Sequence, residues 1–368
     1  MIADIGRHLA LGDAPHLAFT AIASSGHTMP PSPLFLLGPT NPVVHDELFG
    51  QTELAEVGTY TLTDAVLAPS GIAIKDGVAF NSTAFIHPAH HVQAVAGRLL
   101  AADLPVRRVR GTLAVIYGPG HQTYGHWLVD FLPRLWVLAS CGHDLATLKY
   151  AVPPELTPAT RRLLAQLGIR KTQLVSCRYW REILHVEHLL MPTGLRALNR
   201  LHPHFAPATA FWTARLHRTT SPEAAAPTHL FVSRAKVVGS RILDNRGRIE
   251  AIASQRGFTI VHPQTMTLGE QAALFSTARV IVGEYGSGLH GSVHAPPGTL
   301  TIGLRGTARH PSFVQSGVAH ALGQHAAYVF GATTLGHTDG EVGQVFTIEP
   351  EDFERALDIA AALEPDPA

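Results

Sequence analysis

Two clusters of residues in this 368-residue chain have the types and spacing of reaction chemistry. The first lies in YGHWLVDFLPRL, residues 124–135, where His126, Asp130 and Arg134 recur every four residues. A helix through this segment carries all three along one face, with Trp127, Leu128, Phe131, Leu132 and Leu135 mostly on the other. Pro133 removes a backbone donor and should kink that helix near Val129. Histidine changes charge near neutral pH, and an adjacent carboxylate can orient it. His126 and Asp130 are therefore both candidates for a general base. An ion-paired structural face is the plainer account of the same spacing, because such groups are costly to bury unless paired.

The second cluster is EYGSGLHGSVH, residues 284–294, directly after the β-branched run Val280, Ile281 and Val282. Gly283, Gly286 and Gly288 punctuate a polar turn holding Glu284, Tyr285 and Ser287, and residues 289–294 can begin a helix. A buried strand, a small-residue turn and a helix start together suit an anion, because the first helical amides point outward with partial positive charge. The pattern is neither GxGxxG nor a P-loop, and a glycine-rich turn without a ligand reads equally well. Arg234, Lys236 and Arg241 follow the apolar run at 229–233, and Arg246 and Arg248 come soon after. Arginine's planar fork matches phosphate oxygens and stays charged.

The elements that must position these residues alternate along the chain. Residues 112–117 (TLAVIY), 229–233, 280–282 and 299–304 read as buried strands of a parallel sheet. Thr157 with Pro158 starts a helix that Gly168 stops. Thr267 with Glu270 makes a capping box for the helix leading into residue 271. Residues 248–256 and 350–363 read as further helices. Between residues 52 and 85, short β-type runs broken by 69–71 and 75–77 suggest a small antiparallel unit, since Asp-Gly is a strong hairpin cue. The alternating rhythm predicts an α/β protein. The expected divisions are an N-terminal arm and β unit over 1–100, an α/β domain over 101–218, a linker at 219–227, a second α/β domain over 228–345, and a closing helix over 350–364.

Composition narrows the function. The 28 basic and 28 acidic residues cancel, which argues against a nucleic-acid binder driven by bulk charge. Cys141 and Cys177 offer neither a disulfide framework nor zinc spacing. The histidine clusters at 87, 90, 91 and at 202, 204 lack a zinc-site carboxylate, so no metal site is expected. No signal peptide or membrane span is evident, and the expected location is the cytoplasm, alone or at a membrane surface.

Three blocks in order carry a resemblance to a known family: residues 124–135; residues 231–245 (FVSRAKVVGSRILDN) with 256–283; and residues 284–298. The chain resembles glycosyltransferase family 61, in its bacterial branch associated with capsular polysaccharide biosynthesis. The likeness covers roughly half the chain, and residues before Leu100 match nothing in it. It implies a GT-B-like fold, two Rossmann-like domains facing across a cleft, and an inverting glycosyltransferase without a metal or other cofactor. His126 or Asp130 would serve as base. Tyr124 and Arg134 would lie on the acceptor side. Arg234, Arg241, Gln271, Glu284, Tyr285, Gly286, Ser287, Gly288, Leu289 and His290 would hold a nucleotide-sugar donor, expected to be UDP-linked. The acceptor would be a hydroxyl of a glycan or related molecule. The sequence departs from the family pattern at Asp244 and Asn245, where Asn-Glu is common, at Gly291, where Asn is usual, and at His294, where an aromatic stands. A non-catalytic nucleotide- or sugar-binding partner in an assembly complex is the alternative from another class. The missing GxGxxG argues against an NAD-dependent oxidoreductase.

Overall fold

The computed structural model describes residues 7–10, 17–28, 32–40, 42–50, 52–68, 71–76, 78–81, 94–95, 97–99, 102–178, 180–197, 199–216, 226–237, 241–307, 313–336 and 344–363. The expected linker at 219–227 and the histidines at 87, 90 and 91 fall mostly or wholly outside these residues. The described residues form two compact units. One draws on Met1–His27, Glu53–Ala197 and Pro207–Arg215, the other on Thr28–Thr52, Leu198–Ala206 and Leu216–Ala368.

The sheet of the first unit has nine described strands. Its parallel half runs Ile183–Pro192, Val106–Val115, Lys149–Val152, Leu174–Ser176. Strand Val57–Leu67 joins it antiparallel to Ile183–Pro192 and continues into the hairpins Ala73–Lys75 and Val78–Asn81. The runs between 52 and 85 therefore form the expected antiparallel pairs, and they extend the same sheet. Asp76 adopts φ +49° in the two-residue turn that pairs Lys75 with Val78, as such a turn requires. The helix Pro158–Gln166 begins as predicted. Thr157 Oγ1 accepts from the Thr160 N–H at 3.1 Å, and Gly168, at φ +83°, follows the last turn.

The second unit is a mostly parallel sheet in the order Arg241–Leu243, Gln344–Thr347, His325–Gly336, Leu300–Gly306, Val280–Glu284, His229–Val232, Thr259–Val261. Only the pair of His325–Gly336 with Gln344–Thr347 in this path is antiparallel. Its central strands are apolar on both faces. Phe231, Val280, Val282 and Ile302 point into one core with Ile249, Phe353 and Leu357 of the helices Arg246–Gln255 and Pro350–Leu363. Leu230, Val232 and Ile281 point into the other, with Phe275, Leu289 and Phe313. A period of two with both faces buried is the signature of a doubly covered parallel sheet. The capping box forms: Thr267 N–H donates to Glu270 Oε2 at 2.6 Å and Glu270 N–H to Thr267 Oγ1 at 3.2 Å. Among the described residues, no helix is long and apolar enough to cross a membrane.

Candidate active site

In the first unit the site is built on the end of strand Val106–Val115. Arg134 reaches back to that end. Its Nη1 donates to the carbonyls of Val115 at 3.3 Å and Tyr117 at 3.2 Å. Burial pulls the Arg134 pKa down to about 10, with Asp130 acting in the opposite sense. The chain then turns through Gly120, at φ +79°, and His121, whose carbonyl accepts from Trp127 Nε1 at 2.9 Å.

The segment expected to be one kinked helix is three pieces. A helical turn, Tyr124–His126, widens into the π turn Trp127–Phe131 and returns to α-helix at Pro133–Ser140. The Leu132 N–H closes the wide turn on the Trp127 carbonyl at 2.9 Å. In an α-helix the Pro133 ring would collide with the carbonyl four residues back; a π turn makes room for it. The helix also lacks a solvent face here. Trp127, Leu128, Val129, Phe131 and Leu132 are buried, as are Asp130 and Arg134.

Asp130 is 1% exposed. Its Oδ2 lies 2.5 Å from His126 Nδ1. Arg196 donates Nε to Oδ1 at 2.6 Å and Nη2 to Oδ2 at 3.2 Å. Burial alone would raise the Asp130 pKa, but the Arg196 charge and the hydrogen bonds from His126 and Arg196 outweigh it and hold the group at about 2. Asp130 is thus an ionised, enclosed acceptor at neutral pH. The more exposed member of the dyad is His126, at 28%. Its Cδ2–Nε2 edge lies against Gly120, where a Cβ would come within 2.7 Å of the ring. Tyr124, half-buried, opens the same helical turn.

In the second unit, Glu284 ends strand Val280–Glu284 and is 2% exposed. The adjacent parallel strand pairs Val232 with Gly283, so Arg234 emerges beside it. Glu284 Oε1 accepts the Arg234 N–H at 2.9 Å. Arg246, first residue of the helix Arg246–Gln255, donates Nε to Oε1 at 2.8 Å and Nη2 to Oε2 at 2.9 Å. Both oxygens of this expected donor-side residue are therefore engaged by protein groups. The Arg234 side chain is partly buried, and its Nε has no hydrogen-bond partner among the described residues.

The turn that follows divides into an accessible lip and a buried backing. Ser287 and Gly288 are partly exposed, at the start of the 3₁₀ helix Ser287–His294. Tyr285, Leu289 and His290 are buried. Tyr285 packs among Phe313 and Tyr328, and His290 Nδ1 lies 3.3 Å from Gln315 Oε1. Gln271 is also buried, donating Nε2 to the Pro263 and Met266 carbonyls. These four residues back the turn. Arg241 opens strand Arg241–Leu243, and its side chain lies outside what is described.

The glycines here serve close packing. A Cβ on Gly283 would lie 2.5 Å from the Val232 carbonyl oxygen, on Gly288 2.9 Å from Val232 Cγ1, and on Gly291 2.5 Å from the Phe275 ring. The departure at Gly291 thus follows from Phe275: an asparagine would need that ring to move. Asn245 is explained similarly. Its Nδ2 donates to the Ile348 carbonyl at 2.7 Å and its Oδ1 accepts the Ile348 N–H at 3.3 Å. Glutamate cannot make both bonds when ionised.

Two residues outside the predicted site anchor it, Arg196 and Arg246. Arg196 had no local signal. Arg246 stood among the arginines after residue 233, without a mark to single it out. Among the described residues no three His, Cys, Asp or Glu side chains gather as metal ligands. His202 and His204 place their Nδ1 atoms 3.1 Å apart.

Residues 124–302 match the model of the family described as Glycosyltransferase 61. The match opens on Tyr124 and ends within strand Leu300–Gly306, so it takes in His126, Asp130, Arg196, Arg234, Arg246 and Glu284. Residues 124–302 are a glycosyltransferase family 61 region. The protein is a glycosyltransferase, and the family implies a nucleotide-sugar donor and a glycan acceptor. No curated protein matches the chain. The family 61 region thus contains both ionic groups, the Asp130 dyad with Arg196 and the Glu284 pair with Arg246.

Proposed function

We propose that this glycosyltransferase inverts the anomeric centre, using His126 as base and Asp130 as the group that orients it. The observation that carries this reading is the 2.5 Å contact of His126 Nδ1 with a carboxylate kept ionised by Arg196. An ionised Asp130 accepts the Nδ1 proton, which leaves the lone pair on Nε2. His126 then takes the proton of the acceptor hydroxyl as its oxygen attacks the anomeric carbon. The new glycosidic C–O bond forms as the bond to the diphosphate oxygen breaks on the opposite face.

The leaving nucleoside diphosphate gains charge, which Arg234 and the backbone at Gly286, Ser287 and Gly288 stabilise; Arg241 is the further candidate. Glu284 and Arg246 position this lip and do not touch the sugar. The positive charge comes from guanidinium and amide groups, so turnover should survive chelation of divalent cations. In this reading, loss of either the base or the lip lowers turnover. The products belong to polysaccharide assembly, and UDP-sugars are the first donors to test.

The deciding experiment measures nucleoside diphosphate release across a donor panel with glycan acceptors, with product anomeric configuration read by NMR. H126A and R234A should each lower turnover on the order of 100-fold or more. Retention of configuration, or wild-type rates in H126A, would overturn the reading.

A further inference from the structure

Three parallel strands of the first unit end side by side: Val106–Val115, then Lys149–Val152, then Leu174–Ser176. The register aligns Val115 with Ala151 and Ala151 with Val175. The first strand leads into the Gly120 turn against His126. The third leads into residues 177–182, whose first N–H, that of Cys177, is bonded to the Val152 carbonyl. Two strand spacings, about 10 Å, separate the bases of these loops. In open parallel sheets, ligands bind outside the carboxyl ends of the strands.

The described residues of the 177–182 loop are basic and held in place. Arg107 donates to the Ser176 carbonyl and lies 3.1 Å from Glu182, and Arg178 lies 3.9 Å from the same carboxylate. Arg181 is exposed, and Arg178 is 72% exposed. Trp180 sits at φ +60°, a conformation that costs a bulky residue strain and is found where surroundings enforce it. Arg98 lies over its ring, 3.9 Å from the centroid. Arg107 and Arg178 thus meet one carboxylate and Arg98 one indole, with Arg181 exposed beside them. Glu182 is mostly buried, at 11% exposure, so the surface left outward is cationic.

We infer that Arg178 and Arg181, with Arg98 and Arg107, form an acceptor subsite for an anionic group on the glycan, a carboxylate or a phosphate. This rests on His126 marking the acceptor side. A guanidinium cluster matches both anions, and its planar forks suit either one.

The test titrates the full chain with three oligosaccharides of equal length, one neutral, one carboxylated and one phosphorylated, following tryptophan fluorescence. The expected result is binding of at least one charged probe, at least tenfold tighter than the neutral one and weakened by salt. R178A/R181A should lose about tenfold or more of that affinity while keeping its thermal shift with nucleoside diphosphate. The carboxylated and phosphorylated arms identify which anion is preferred. Equal affinity for all three probes, no binding of either charged probe, or unchanged binding in R178A/R181A would overturn the subsite. Loss of the nucleoside diphosphate shift in the wild-type chain would instead count against the transferase site itself. The conservative variant R178K/R181K should recover part of the charged-probe affinity; equal loss in it and in R178A/R181A would indicate a structural role and also overturn the subsite.

Discussion

Arg246 meets Glu284 fork to fork, Nε to Oε1 at 2.8 Å and Nη2 to Oε2 at 2.9 Å, with the carboxylate 2% exposed. The pair ties the first residue of a helix to the end of the central strand, directly beside Arg234. Hydrogen bonding to Glu284 raises the Arg246 pKa, so the guanidinium stays charged. Removing one partner strands the other in a poorly solvated place. E284Q should destabilise the second unit by about 3 kcal/mol, measured by urea unfolding. The double variant E284Q/R246M should recover part of that loss.

Asp130 makes stability fall in acid. Its pKa in the fold, about 2, lies below that of an ordinary carboxylate. The stabilisation is therefore complete above about pH 4 and drains away as pH falls from about 4 to about 2. The size is roughly 2 kcal/mol. Denaturant melts at stepped pH should show D130N lacking this acid-dependent component, so that the gap between wild type and variant narrows across that window. A constant gap would contradict it.

Gly120 holds the Nε2 edge of His126 from one side, at φ +79°, with no room for a Cβ. G120A should displace the imidazole and lower kcat by roughly 10- to 100-fold, while nucleoside diphosphate binding stays as in wild type. Steady-state kinetics and a thermal shift with nucleoside diphosphate separate these effects.

Gly291 abuts Phe275, and a Cβ added there would lie 2.5 Å from the ring. G291A should cost about 1–3 kcal/mol by overpacking. Pairing it with F275L, which withdraws the ring, should give less than the sum of the two single losses. Thermal or urea unfolding of the four proteins provides the cycle.

Much of the fold was legible from local pattern. The strand Val280–Glu284 announced itself by β-branched residues with both faces apolar, and the caps at Thr157 and Thr267 by side chains that satisfy the first helical amides. The 124–135 block was visible as chemistry because histidine and carboxylate four residues apart can meet on a helical turn, and His126 does meet Asp130. Local pattern also misjudged details. Pro133 predicted a kink, and the chain answered with a π turn; that Gly283 and Gly288 also pack tightly against Val232 was not visible locally.

What the sequence by itself determined was therefore the elements, their caps and the segments that carry the reactive residues, because each depends on side chains only a few positions apart. What the tertiary structure alone decided was which residues complete each ionic group. Arg196 reaches Asp130 across 66 residues, and Arg246 reaches Glu284 across 38. Those partnerships depend on sheet order and on which strand ends lie side by side. Helical or strand periodicity carries no information about either, since the same local pattern fits many strand orders.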